Sequence, residues 1–149
     1  MISHDHYDHL DEAALKALHK HHDPLFVAGI GTENVLPKKA NSLLMDWMQF
    51  STIGINGRTY RITFVPVCHW SKRGMSDLNT RLWGGFILET PEKEKIFYSG
   101  DTGYCQVFKE IGKMFGPFDF TILPIGAYEP RNLLKPQHVN PEEAVIIHK

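Results

Sequence analysis

Three histidines and two aspartates fall within six consecutive residues near the start of the chain, as His4-Asp5-His6-Tyr7-Asp8-His9. Neutral imidazole nitrogen and carboxylate oxygen are the donors that zinc and its neighbours take readily. In an extended or turning segment, residues two apart project to the same side, so His4 and His6 can grip one ion together. The chain then turns, and Asp8 and His9 face elsewhere, so one short loop can serve two adjacent metal positions. A solvated surface loop also carries His and Asp, but rarely at this density and in this order.

Four further polar positions stand at or just past the ends of strands, or just before a helix. They are His69 in Val67-Cys68-His69-Trp70, Asp101 in Ser99-Gly100-Asp101-Thr102-Gly103, Tyr128-Glu129-Pro130-Arg131, and His138. Singly, each reads as an ordinary loop residue. Together they place ligand-type side chains at successive strand ends of an otherwise apolar scaffold, which is how active sites are built on layered α/β folds. Lys72 and Arg73, close after His69, could form a cationic rim for a phosphate; a solvated basic turn is the plain alternative. His19, Lys20, His21 and His22 read as basic groups in a last helical turn, complementing its dipole.

The positioning elements follow from periodicity and punctuation. Asp11 caps a predicted helix running to about His22, with Pro24 beyond. A short buried strand covers 25–28, a short helix 32–36, and an apolar, aromatic strand 43–51. Strands 53–55 and 58–65 meet across Asn56-Gly57, a favoured two-residue hairpin turn, with Tyr60, Ile62 and Phe64 on one face. Strands over 82–89 and 95–99, an amphipathic helix over 104–115, and a buried strand over 118–124 follow. Asn140-Pro141-Glu142-Glu143 opens a last helix. This alternation predicts an α/β fold in one domain of 149 residues.

Composition narrows the class. Hydrophobic residues are 42% and charged residues 22% of the chain, as in ordinary globular domains. A net charge of −1 excludes nucleic-acid binding driven by bulk charge. Cys68 and Cys105 are far apart and form no C-x-x-C, so they read as reduced thiols of an intracellular protein. The N-terminus reads as neither signal nor transit peptide. No apolar run approaches a membrane span, so contact with a membrane would be at its surface.

The order His4-x-His6-x-Asp8-His9, then a histidine after a strand, then Ser-Gly-Asp101 after a strand, resembles the metallo-β-lactamase fold superfamily. Within it, Gly100-Asp101-Thr102-Gly103-Tyr104-Cys105, Pro124-Ile125-Gly126-Ala127-Tyr128-Glu129-Pro130-Arg131 and Gln137-His138-Val139-Asn140-Pro141-Glu142-Glu143-Ala144 are similar to the family of N-acyl-phosphatidylethanolamine-hydrolysing phospholipases D. His69-Trp70 with Lys72-Arg73 adds to that likeness, which is thinnest between Ala28 and Phe64. The resemblance implies an αββα sandwich holding two zinc ions. His4, His6 and His69 would hold one zinc, Asp8 and His9 the second, and Asp101 would bridge them. Asp8 and His138 would be the catalytic residues, His138 in substrate contact or proton transfer. Lys72, Arg73 and His138 would bind substrate.

The activity so implied is zinc-dependent phosphodiester hydrolysis, releasing an N-acylethanolamine and phosphatidic acid. Its partner would be a phospholipid at a membrane surface, with no nucleic acid, and a homodimer is an allowed assembly. The location would be intracellular and cytoplasmic, with peripheral membrane association. The family has a β-layer before the metal loop and a later strand carrying the second zinc's remaining histidine. Residues 1–149 are therefore expected to be part of a domain, truncated at both ends. Two other readings stay open: a related hydrolase acting on a thioester, lactone or soluble phosphodiester, and an inactive truncated fragment that only binds metal.

Overall fold

The computed structural model describes residues 1–149. The chain forms two compact units, one of residues 1–46 with 70–83 and one of residues 47–69 with 84–149.

In the first unit, α1 (Glu12–His22) starts where Asp11 turns its carboxylate onto the backbone N–H groups of Ala13 at 2.8 Å and Ala14 at 3.2 Å. The first turn of any helix leaves such donors unpaired, and the cap satisfies them. Asp23 closes the helix in the left-handed conformation. His19 Nδ1 lies 2.9 Å from the Asp23 carboxylate, a pairing across the helix end. Strands β1 (Phe26–Gly29) and β2 (Ser42–Met45) pair in parallel, Phe26 opposite Ser42. Ile2, Leu10, Leu15, Phe26 and Ala28 form the core of this unit, with Val35, Leu36, Ala40 and Leu44 against it.

The second unit is a five-stranded sheet in the order β3-β4-β5-β6-β7. Strands β3 (Phe50–Ile55), β4 (Arg58–Val65), β5 (Gly85–Glu89) and β6 (Lys95–Tyr98) run antiparallel, and β7 (Phe120–Ile122) pairs in parallel with β6. Asn56 and Gly57 carry φ of 51° and 75°, the positive values a tight hairpin needs. Phe64, Phe86 and Phe97 are fully buried. Each such side chain contributes about 1.5–3 kcal/mol through its burial. Helix α2 (Val107–Phe115) lays Phe108 and Ile111 against the sheet, with the Phe108 ring 6.2 Å from that of Phe97. A four-residue helix that periodicity did not signal, α3 (Arg131–Leu134), precedes α4 (Pro141–His148). Asn140 and Glu143 close a reciprocal cap on α4, at 2.9 and 3.2 Å.

Four expectations are corrected. The strand expected over 43–51 is two strands in two different units, β2 and β3, and Met48 between them takes a positive φ of 65°. The helix expected over 104–115 begins only at Val107. The strand expected to be buried over 118–124 is a three-residue edge strand with Phe120 59% and Ile122 55% exposed; it has a partner on one side only. Finally, Cys68 and Cys105 are joined as a disulfide across 37 residues rather than standing as separate thiols. Cys68 pairs with Gly103 in an isolated antiparallel bridge, which brings the two Cα atoms to 6.5 Å, within reach of a disulfide. The intracellular assignment drawn from reduced thiols loses that support.

Candidate metal centre

The ligand loop of the first unit is held at both ends by backbone. Ile2 N–H donates to Val27 O at 2.8 Å, laying the segment beside β1, and His9 and Leu10 N–H both return to His6 O at 3.0 and 2.8 Å. The turn so formed gathers the imidazoles. His4 is 3% exposed. Its Nδ1 lies 3.1 Å from the Ser3 hydroxyl, and its Nε2 lies 3.0 Å from His6 Nδ1. The His9 ring stands 4.2 Å from that of His4, and the His6 ring packs edge-on to Trp70 at 4.4 Å. Nitrogens of His4 and His6, and of His4 and His9, lie within 4.8 Å of one another. Asp8 stands apart: its side chain is 77% exposed, with one oxygen 3.6 Å from His9 Nε2.

Asp5, between the two leading ligands, points the opposite way, as strand-like alternation requires. It is 1% exposed. Its carboxylate accepts from Lys72 N–H at 2.9 Å and Arg81 Nη1 at 2.9 Å. Arg81 Nη1 also donates to Asp77 at 2.8 Å. Arg73 does not line an open rim: its side chain is 8% exposed, and its guanidinium is engaged by the ligand loop itself. The cationic-rim reading therefore has no support from Arg73.

Asp77 organises the turn that carries these arginines. It accepts from Gly74 N–H at 2.7 Å and Arg73 N–H at 3.2 Å. The hydrogen bond from Arg81, above all, with the Gly74 N–H next, holds its carboxyl down from 3.8 to about 2. A depressed carboxyl contributes stability that is complete above its unfolded value and is lost as pH falls through the folded one. The melting temperature of the parent should therefore exceed that of Asp77→Asn fully at pH 5, with the gap closing as pH drops toward 2. A gap that does not change over that interval would contradict the assignment.

The second unit supplies the other candidates from its strand ends. His69 follows β4, and its Nδ1 lies 3.2 Å from Gln137 O. A carbonyl can only accept, so Nδ1 carries the proton and Nε2 keeps its lone pair. This is the tautomer that metal-ligating histidines adopt. Asp101 follows β6 through Gly100, whose φ is +62°. Asp101 Oδ2 stands 3.8 Å from His138 Nδ1, and the His138 ring meets that of His69 edge-on at 5.4 Å.

Thr102 ties these pieces together. Its hydroxyl accepts from Cys68 N–H at 3.0 Å, and its carbonyl accepts from Val139 N–H at 2.7 Å. Arg131 Nη1 donates to His138 O at 2.7 Å, and its Nη2 pairs with Glu143 at 2.7 Å. Sequence reading missed Thr102, Gln137 and Arg131 in these holding roles. The runs G-D-T-G and Q-H-V that contain the first two were visible, but their contacts were not.

Gly103 is required here by close approach, since a Cβ would run into the carbonyl of Pro136. Gly103→Ala should destabilise the protein by roughly 1–3 kcal/mol, the usual cost of overpacking, and should loosen the segment bearing His138. An unchanged denaturation midpoint would show that the backbone yields freely.

The structure thus brings His4, His6 and His9 together in one unit and His69, Asp101 and His138 together in the other. Clustered imidazole nitrogens, that of His69 with its tautomer fixed by Gln137 O, and one flanking carboxylate are a donor chemistry that fits zinc or a similar divalent ion.

Residues 1–149 match the sequence profile described as "Beta-lactamase superfamily domain". The chain is 41% identical over 163 residues to N-acyl-phosphatidylethanolamine-hydrolyzing phospholipase D 1 of Caenorhabditis elegans, covering all of this chain and 44% of that protein. It is 33% identical over 153 residues to the mitochondrial N-acyl-phosphatidylethanolamine-hydrolyzing phospholipase D of Saccharomyces cerevisiae, again over all of this chain and 33% of that one. Among solved structures, a metallo hydrolase of the archaeon Ignicoccus hospitalis superposes with a TM-score of 0.71 at 18% identity, over 98% of this chain and 56% of its own. The chain therefore spans less than half the length of these two curated relatives. No helix is long and apolar enough to cross a membrane.

Proposed function

The chain belongs to the beta-lactamase superfamily domain family, and on that premise we propose that it carries ligands of a two-zinc phosphodiesterase of phospholipase D type. Its substrate would be N-acyl-phosphatidylethanolamine at a membrane surface, cleaved to an N-acylethanolamine and phosphatidic acid. The observation that carries this reading is the likeness, at 41% identity along the whole of this chain and 44% of the relative, to a protein named for that reaction. The imidazole groupings on each unit, and the fixed tautomer of His69, support it.

In this reading His4, His6 and His69 would hold one zinc and His9 the second, with Asp101 shared between them, and Asp8 would complete the second by turning its exposed side chain inward. Bound zinc would supply Lewis acidity toward a phosphoryl oxygen and would acidify water. The protein's own contribution is orientation and proton handling. The Gln137 carbonyl keeps the proton of His69 on Nδ1. His138 is anchored at its backbone by Leu134 and Arg131, leaving its imidazole to contact the head group or to pass a proton. Asp101 Oδ2 stands 3.8 Å from His138 Nδ1, so the imidazole lies beside a proposed ligand.

The test is hydrolysis of N-acyl-phosphatidylethanolamine in vesicles, run beside a thioester, a lactone and a soluble phosphodiester, with zinc content measured on the same sample. Zinc-dependent release of N-acylethanolamine is expected of a longer chain that carries these residues, and none of residues 1–149 alone. Zinc binding with cleavage of only the soluble substrates would replace the lipid by another substrate. Absence of bound zinc would overturn the reading altogether.

A further inference from the structure

Arg73 makes more contacts with the ligand loop than any role at a solvent rim requires. One nitrogen, Nη1, donates to Asp5 O at 2.7 Å and to Leu10 O at 2.8 Å. Those two carbonyls bracket the turn that holds His6 and His9. Nη2 reaches Glu12 at 3.3 Å, so the same side chain also holds the first turn of α1. The guanidinium lies 4.1 Å over the Tyr7 ring, and the Tyr7 hydroxyl donates to Arg73 O at 3.0 Å. Residues 5, 7, 10 and 12 are all touched by one residue that is distant in sequence.

A short loop bearing three imidazoles has many conformations, and only a few aim their nitrogens at one point. The carbonyls of Asp5 and Leu10 stand on either side of the loop's own turn, so that turn alone does not fix them both. A planar guanidinium with several donors can fix both, because its geometry is rigid. The buried carboxylate of Asp5, gripped by Lys72 N–H and by Arg81, holds the same segment from its other side. His4 and His6 then have little freedom except to project away from it.

We propose that Arg73 is a positioning residue for the metal-binding loop. Together with Asp5 and Arg81, it sets the spacing of His4, His6 and His9 before any ion arrives. This rests on the proposed function in one respect, that the loop is a metal ligand, and does not depend on which substrate is cleaved. Residues that orient ligands from behind typically change metal affinity 10–100-fold when altered.

The experiment is zinc affinity by chelator competition, with the visible spectrum of the cobalt(II)-substituted 149-residue chain as a reporter of ligand geometry. Parent, Arg73→Ala, Arg73→Lys and Met45→Ala are compared. Met45 is buried on β2 of the same unit and serves as a control for general destabilisation. Arg73→Ala is expected to bind zinc roughly 10–100-fold more weakly with an altered cobalt spectrum. Arg73→Lys should recover part of that loss, since an ammonium can reach one carbonyl but not hold all partners. Met45→Ala should keep the parent's spectrum and affinity.

Equal affinity and an unchanged spectrum in folded Arg73→Ala would overturn the proposal. Were that variant not to fold by circular dichroism, Arg73→Lys decides: weaker binding supports the proposal, and parent-like binding and spectrum overturn it. A loss in Met45→Ala as large as in the arginine variants would also overturn it, by reducing the effect to stability. No metal binding in the parent would instead be the failure of the metal-site reading.

Discussion

In a longer chain that carries these residues, Asp101→Asn is expected to strip at least one zinc equivalent and to abolish turnover. Asparagine keeps the shape and one oxygen acceptor, so the metal-free protein should melt as the parent does. What disappears is the charge. A carboxylate that serves two dications offsets their repulsion with a full negative charge and two donor oxygens, and an amide provides neither. Changes behind a metal site cost 10–100-fold in affinity, so loss of a shared ligand should exceed about 100-fold. The loop favours such a role, because Gly100 turns with a φ of +62° and Thr102 is fully buried beyond it. The side chain of Asp101 is thus carried on backbone held from both sides. Metal analysis after dialysis, with a melting curve on the same sample, decides the matter. A full zinc complement with parental turnover would remove Asp101 from the ligand set.

His138→Ala should behave in the opposite way, leaving zinc content unchanged while slowing hydrolysis by about 10²–10⁴-fold, the usual range for a lost general acid or base. The backbone around His138 is fixed independently of its ring, by Leu134 O, by Arg131 and by Val139 N–H on Thr102. Removing the imidazole should therefore not collapse the segment. Asp101 Oδ2, at 3.8 Å from His138 Nδ1, is beyond direct hydrogen-bond range, and the His138 ring packs edge-on to that of His69 at 5.4 Å. Zinc lost along with activity would instead make His138 a ligand, and the division between binding and proton transfer would have to be redrawn.

Metal chemistry is dictated by residue type, and residue type is a property of the chain alone. His4, His6, Asp8 and His9 stand together in the chain, and their order alone suggests ligation. Local rules are equally legible where local interactions decide. The Asp11 cap, the Asn56-Gly57 turn and the Asn140–Glu143 capping box each involve residues within three positions of one another. Backbone geometry at that range depends little on the rest of the fold.

Elsewhere the deciding contacts lie far apart in sequence. The apolar stretch 43–51 has one composition but serves two units, and its division at Met48 follows from which strands each half finds as partners. Phe120 and Ile122 read as core by hydropathy, yet both stand on one face of the sheet and are more than half exposed within residues 1–149. Cys68 and Cys105 give no spacing signal; a bridge from Cys68 to Gly103 brings them together. Arg73 is the sharpest instance. By sequence it is a basic residue after a histidine, equally fit for solvent or for a phosphate. Its orientation is settled by carbonyls of Asp5 and Leu10, which lie 68 and 63 residues away. Residue chemistry and short-range geometry belong to the chain itself. Which side chains hold the ligands in place is decided only by tertiary contacts, because a hydrogen bond to a distant carbonyl leaves no pattern in the local sequence.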